Sequence, residues 1–145
     1  MKTMRGKIIG VLVLVVLFLM LGACKAHAEE AEELKKGCST AYCLKGKTAS
    51  GIETRCGICA GASKYLGKMI IIYQRLPDDS VGKMLGVFEC KDTGGTDAIR
   101  NGYCIDVWFP DHDTCQGWMN LVYMDGCKGK IYFKVVENVN IQKAE

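Results

Sequence analysis

Two carboxylates stand out by their surroundings. Asp92 opens the run Asp92-Thr93-Gly94-Gly95, and Asp106 lies inside Ile105-Asp106-Val107-Trp108-Phe109. A carboxylate within an apolar strand is costly unless it is hydrogen-bonded or put to use. Desolvation would raise its pKa, which suits a general acid. Thr93, Gly94 and Gly95 behind Asp92 form a stretch where a backbone or a substrate could approach closely. Equally, Asp92 could cap a loop and Asp106 could bind backbone amides. On these residues alone both readings stay open.

The second chemical signal is sulfur. Beyond Cys24 the chain carries Cys38, Cys43, Cys56, Cys59, Cys90, Cys104, Cys115 and Cys127. Cys56-Gly57-Ile58-Cys59 could be a redox pair, or half of a zinc site completed by Cys38 and Cys43. An even number of cysteines in a small exported domain instead reads as a disulfide framework, which is the reading preferred here. No metal and no cofactor is expected. His112 is the one histidine after residue 28 and reads as a solvated loop residue, so a hydrolytic triad has no support.

Export is read from the first 28 residues. Lys2, Arg5 and Lys7 precede an apolar run from Ile8 to Gly22, and Ala26-His27-Ala28 supplies small residues for signal cleavage. The run is short for a membrane span, which needs about 20 residues. An uncleaved anchor is one alternative. Another is a lipoprotein, since Leu21-Gly22-Ala23-Cys24 would place a lipidated Cys24 at the new N-terminus. The expected location is therefore outside the cell or on its surface, with membrane attachment only through Cys24. Residues 1–28 hold four of the 19 basic residues and no acidic one, so the remainder has 15 basic against 16 acidic residues. That balance removes the electrostatic case for binding nucleic acid.

The elements that must position the aspartates are mostly strands. Residues 29–46 read as a charged linker followed by a cysteine-tied loop, with weak helical tendency over Glu29 to Lys36. Met69-Ile70-Ile71-Ile72-Tyr73 is a continuous apolar run of core type, Pro77-Asp78-Asp79 is a turn, and Met84 to Cys90 completes a hairpin. Tyr103 to Phe109 is a third strand, closed by Pro110. Asp113 is a plausible N-cap for a helix on which Cys115, Trp118, Met119 and Val122 form one stripe, with Gly126 as its stop. Lys130 to Glu137 is the last strand. Many short strands and one helix predict a small closed β-barrel, mainly β. The main domain is bounded at 47–140, with a tail at 141–145.

Asp92-Thr93-Gly94-Gly95, Ile99-Arg100-Asn101-Gly102 and Ile105-Asp106-Val107-Trp108-Phe109 together resemble the 3D (three-aspartate) domain. Thr48-Ala49-Ser50-Gly51 is similar to that family's entry motif, and Leu66-Gly67-Lys68 to its Leu-Gly turn. The resemblance spans residues 47–138. It implies a six-stranded double-psi β-barrel, related to membrane-bound lytic transglycosylase A and rare-lipoprotein-A-like domains, that acts on the glycan strands of bacterial peptidoglycan as a monomer. It implies Asp106 as catalytic acid and then base, and Asp92 as its support. Trp108, Tyr103 and Trp118 become stacking candidates, and Thr93, Gly94, Gly95 and Trp108 the substrate-binding set. The family's remaining aspartate falls near Cys59-Ala60-Gly61-Ala62, where this chain has none, and the loop between Asp92 and Asp106 is longer than in most members. A non-catalytic wall-binding domain is the alternative. If the two aspartates converge, Cys90 and Cys104, each two residues before one of them, should converge too, because alternate strand residues share a face. A Cys90–Cys104 disulfide is therefore expected, with Cys115 turning to Cys38 or Cys43 and Cys127 taking another partner.

Overall fold

The computed structural model describes residues 33–137. The expected export segment, Cys24 and the tail 141–145 lie outside them. Six strands, β1 (Lys35–Tyr42), β2 (Ile58–Gly61), β3 (Met69–Arg75), β4 (Val81–Thr93), β5 (Cys104–Trp108) and β6 (Lys130–Val136), close into a barrel in the order β1-β5-β2-β4-β3-β6. A single helical turn, α1 (Asp97–Arg100), and a longer helix, α2 (His112–Tyr123), flank β5. The fold is thus mainly β with a closed barrel and one short helix of substance.

The β3–β4 hairpin forms where the turn residues predict it. Asp78 accepts from both the backbone amide and the hydroxyl of Ser80, and Asp79 takes a positive φ of 69°. Along β3 the apolar run alternates: Ile70 and Ile72 are fully buried, while Met69 and Ile71 are half-exposed. Strand β4 is longer than the Met84–Cys90 segment read from sequence. β6 pairs antiparallel with both β3 and β1 and so closes the barrel. Ile70, Ile72, Phe88, Ile105, Val107, Ile131 and Phe133 make the core, and Trp118 and Val122 of α2 pack onto it. The Phe88 and Trp118 rings meet edge to face, 5.4 Å between centroids.

Three readings need correction. The linker and loop assigned to residues 29–46 contain β1, so the barrel starts well before residue 47. The buried face of β1 is Gly37, Ser39 and Ala41, small residues that carry no hydrophobic period. Gly37 must be small: a side chain there would meet the Tyr103 carbonyl oxygen at 2.2 Å. Strand β2 was also missed, being four residues of Ile, Cys, Ala and Gly buried on both faces. The cap of α2 is Asp111, which accepts from the Thr114 amide at 2.8 Å, and not Asp113, which lies in the first turn. The helix then ends at Tyr123, and a 3-10 turn carries the chain to Gly126.

Candidate functional site

Strand register builds the site. Thr40 on β1 stands opposite Asp106 on β5, Asp106 stands opposite Ala60 on β2, and Ala60 stands opposite Asp92 on β4. Thr40, Asp106, Ala60 and Asp92 therefore form one rung across four neighbouring strands. Ile105 and Val107 belong to the core, so the alternation of β5 turns Asp106 to the opposite face. Asp92 reaches that face through an irregularity: the register of β2 and β4 slips between Cys59 and Ala60, pairing Cys59 with Cys90 but Ala60 with Asp92. The extra residue, Lys91, is a β-bulge that re-aims the next side chain.

Each carboxylate has its own partners. The Thr40 hydroxyl donates to Asp106 Oδ1 at 2.7 Å. The backbone amides of Ala49 and Thr93 each donate to Asp92 Oδ1 at 2.9 Å, and the Tyr42 hydroxyl donates to its other oxygen at 3.2 Å. Burial pushes the pKa of Asp106 up, the Thr40 hydrogen bond opposes it, and the negative charge of Asp92 adds to the rise. The Tyr42 phenol is raised as well, first by burial and then by Asp92. Asp106 is thus a half-buried carboxyl that holds its proton above the usual carboxylate range, facing an acceptor-rich Asp92 across the methyl of Ala60. Such a pair can donate a proton to a leaving group and take one back.

The loop between β1 and β2 crosses toward this face. Ala49 and Ser50 bond Asp92 and the Lys91 carbonyl, so the Thr48-Ala49-Ser50-Gly51 motif does meet the site. Thr48 is buried, and among the described residues its hydroxyl has no hydrogen-bond partner. A buried hydroxyl ordinarily finds one.

Other expected site residues are placed as follows. Trp108 is only 5 % exposed, and its indole N–H donates to the Leu44 carbonyl at 2.9 Å. It holds the loop and is not a stacking platform. Trp118 is buried against the core and donates to the Ser39 hydroxyl. Tyr103 alone among the three is half open to solvent. Thr93 ends β4 next to Asp92 and is exposed. Gly94 sits against Ile99, with no room for a side chain, whereas Gly95 faces open space and its carbonyl accepts from Arg100. Asp97 pairs with Arg100 at the surface. His112 is exposed in the first turn of α2.

Cys90 and Cys104 do not meet as expected, whereas Cys115 does turn to Cys43. Cys90 belongs to the core and stands opposite Cys59, whereas Cys104 shares the face of Asp106 and stands opposite Cys38. Strand β2 lies between β4 and β5, and the bulge at Lys91 breaks the alternation that would have carried Cys90 to Asp92's face. Both causes keep Cys90 from Cys104. Cys59 has Cys90, not Cys56, as its thiol neighbour. Among the described residues no three His, Cys, Asp or Glu side chains converge on a metal position. No disulfide bond is formed between the eight described thiols.

Sequence reasoning found Asp92, Asp106 and the Thr48–Gly51 motif but missed Thr40, Tyr42 and the role of Ala60. The available signal for the first two was the alternation Cys38, Thr40, Tyr42, which marks one face of a strand once the buried face is allowed to be small. Comparison of the chain with protein-family models, with curated proteins and with solved structures returned no match.

Proposed function

We propose that this chain is an exported double-psi barrel of the three-aspartate kind that cleaves peptidoglycan glycan strands by lytic transglycosylation. The observation that carries this reading is the rung Thr40–Asp106–Ala60–Asp92, in which a raised carboxyl faces a second carboxylate on a loop-covered sheet. Two parallel pairs, β1 with β5 and β2 with β4, joined by antiparallel β2 and β5, support the double-psi assignment. In the proposed reaction Asp106 gives its proton to the glycosidic oxygen. It then accepts the proton of the sugar's own 6-hydroxyl, which closes a 1,6-anhydro ring. Because that hydroxyl replaces water as nucleophile, a second carboxylate across the bond is not required, unlike in most hydrolases. Thr40 orients Asp106, while Asp92, held by Tyr42 and the Ala49 amide, keeps the Asp106 proton in place by its charge.

One observation favours the non-catalytic alternative: Ala60 occupies the rung position between the two carboxylates, in the region where the resemblance implies a third aspartate. Incubating the exported protein with purified peptidoglycan separates the readings. Soluble fragments ending in 1,6-anhydro sugars, detected by mass spectrometry, support cleavage. Co-sedimentation with intact wall and no fragments supports binding alone. Neither outcome on walls of several compositions would remove peptidoglycan as the target.

A further inference from the structure

Six of the eight described cysteines are arranged in twos, and two of these arrangements follow from strand register. Cys38 and Cys104 are direct partners on the parallel strands β1 and β5, and Cys59 and Cys90 are direct partners on the parallel strands β2 and β4. Neighbouring strands lie about 5 Å apart, inside the window of roughly 4.4–6.8 Å between Cα atoms that a disulfide spans. Register partners also share a face, so the thiols of each pair project the same way. The third arrangement joins the loop after β1 to the first turns of α2, where Cys43 lies beside the buried Cys115. Exposed Cys56 and buried Cys127 stand outside these pairs.

We propose that oxidation joins Cys38 to Cys104, Cys59 to Cys90 and Cys43 to Cys115, and that these three cross-links fix the strands and loop that hold the two aspartates. The placement gives the proposal its content. Cys38 and Cys104 each lie two residues before a member of the rung, Thr40 and Asp106, on the same two strands. Cys59 and Cys90 sit immediately before the bulge that delivers Ala60 and Asp92 to the rung. Cys43 follows Tyr42, the phenol that donates to Asp92. Two of the cross-links therefore adjoin a hydrogen bond of the site, Thr40 to Asp106 and Tyr42 to Asp92, and the third adjoins the bulge that places Asp92. The inference holds whether that site cleaves or only binds.

The chemistry is thiol–disulfide exchange with a small disulfide or an oxidoreductase disulfide as oxidant. A thiolate of the pair attacks the oxidant, one oxidant sulfur leaves as a thiol, and the second cysteine displaces the other. One S–S bond forms, two protons and two electrons leave the protein, and the oxidant ends as two thiols. Cys59 hydrogen-bonding to Cys90 makes the latter the more acidic thiol of its pair, hence the attacking one. Burial pushes Cys104 up to about 12 and Cys115 up to about 11, so neither readily supplies the attacking thiolate.

The test is a disulfide map of the full chain, recovered from an oxidising compartment and, separately, refolded from the reduced state with oxidised and reduced glutathione. After alkylation of free thiols, trypsin and chymotrypsin are used without reduction. Cuts after Tyr42, Trp108 and Tyr123 separate Cys38 from Cys43 and Cys104 from Cys115 and Cys127. The expected linked peptides are those carrying Cys38 with Cys104, Cys43 with Cys115, and Cys90 with the peptide that holds both Cys56 and Cys59. Cys56→Ser should retain that last link and Cys59→Ser should abolish it. A link from Cys90 to Cys104, loss of the Cys90 link in Cys56→Ser, or full alkylation of all eight thiols in both samples would overturn the proposal.

Discussion

Replacing Asp106 by Asn asks whether the fold tolerates this carboxylate at a cost. The side chain is half-buried, and burial is the largest influence on it, followed by the opposing hydrogen bond from Thr40 and the charge of Asp92. Because the net shift is upward, the folded protein holds the Asp106 proton more tightly than the unfolded chain does. Protonation therefore favours the fold. That contribution is complete below the ordinary carboxyl pKa of about 3.9 and is lost as pH rises through the raised value. Asn is neutral at every pH and keeps an oxygen for Thr40 to donate to. Asp106→Asn should therefore be more stable than the wild type at neutral pH, because it removes a charge that burial disfavours, and its urea midpoint should be higher. The gap should close by about pH 3, where the wild-type carboxyl is protonated. Paired urea melts across that range measure it. A variant less stable than the wild type at pH 7, with a deficit that persists in acid, would show instead that Asp106 is a structural anchor.

Three further outcomes are expected. Thr40→Val keeps the shape of Thr40 but removes the hydrogen bond that lowers Asp106, so the Asp106 titration should move further upward, read by NMR of its carboxyl carbon. Asp111→Ala removes the cap of α2 and should cost about 1 kcal/mol, whereas Asp113→Ala should cost much less, a contrast that equilibrium unfolding of the two variants reveals. Reducing the oxidised protein should lower its stability by about 2–4 kcal/mol for each cross-link that closes a long loop, measured as a drop in urea midpoint with dithiothreitol present.

Much of the barrel was legible because its long strands carry ordinary signals. The Met69–Tyr73 run, the Pro77-Asp78-Asp79 turn and the alternation of Ile131, Phe133 and Val135 each reflect burial of one face or a required turn geometry. The first two strands were not legible, for a physical reason. Where β1 passes under Tyr103 nothing larger than Gly37 fits, and the rest of that face is Ser39 and Ala41, so it carries no large apolar side chain to reveal it. Asp92 and Asp106 were visible as polar residues in apolar or Gly-rich company. Their true neighbours, Thr40 and Tyr42, lay on the strand that was missed. The Cys90–Cys104 expectation failed at one residue: the bulge at Lys91 puts Cys90 in the core and Asp92 on the other face, and alternation cannot foresee an inserted residue. Trp108 shows the converse error, since an aromatic near a carboxylate reads as a sugar platform until its indole N–H is found on the Leu44 carbonyl.

The central claim is that Asp106 and Asp92 work as one catalytic site on glycan strands. Its most direct measurement is the rate at which 1,6-anhydro-terminated fragments leave purified peptidoglycan, compared for the wild type, Asp106→Asn and Asp92→Asn, with each protein shown by circular dichroism to be folded. Asp106→Asn should release none above background, and Asp92→Asn should fall by about 10²-fold or more, the scale expected when a group supporting general acid catalysis is lost. Undiminished release by folded Asp106→Asn would contradict the claim.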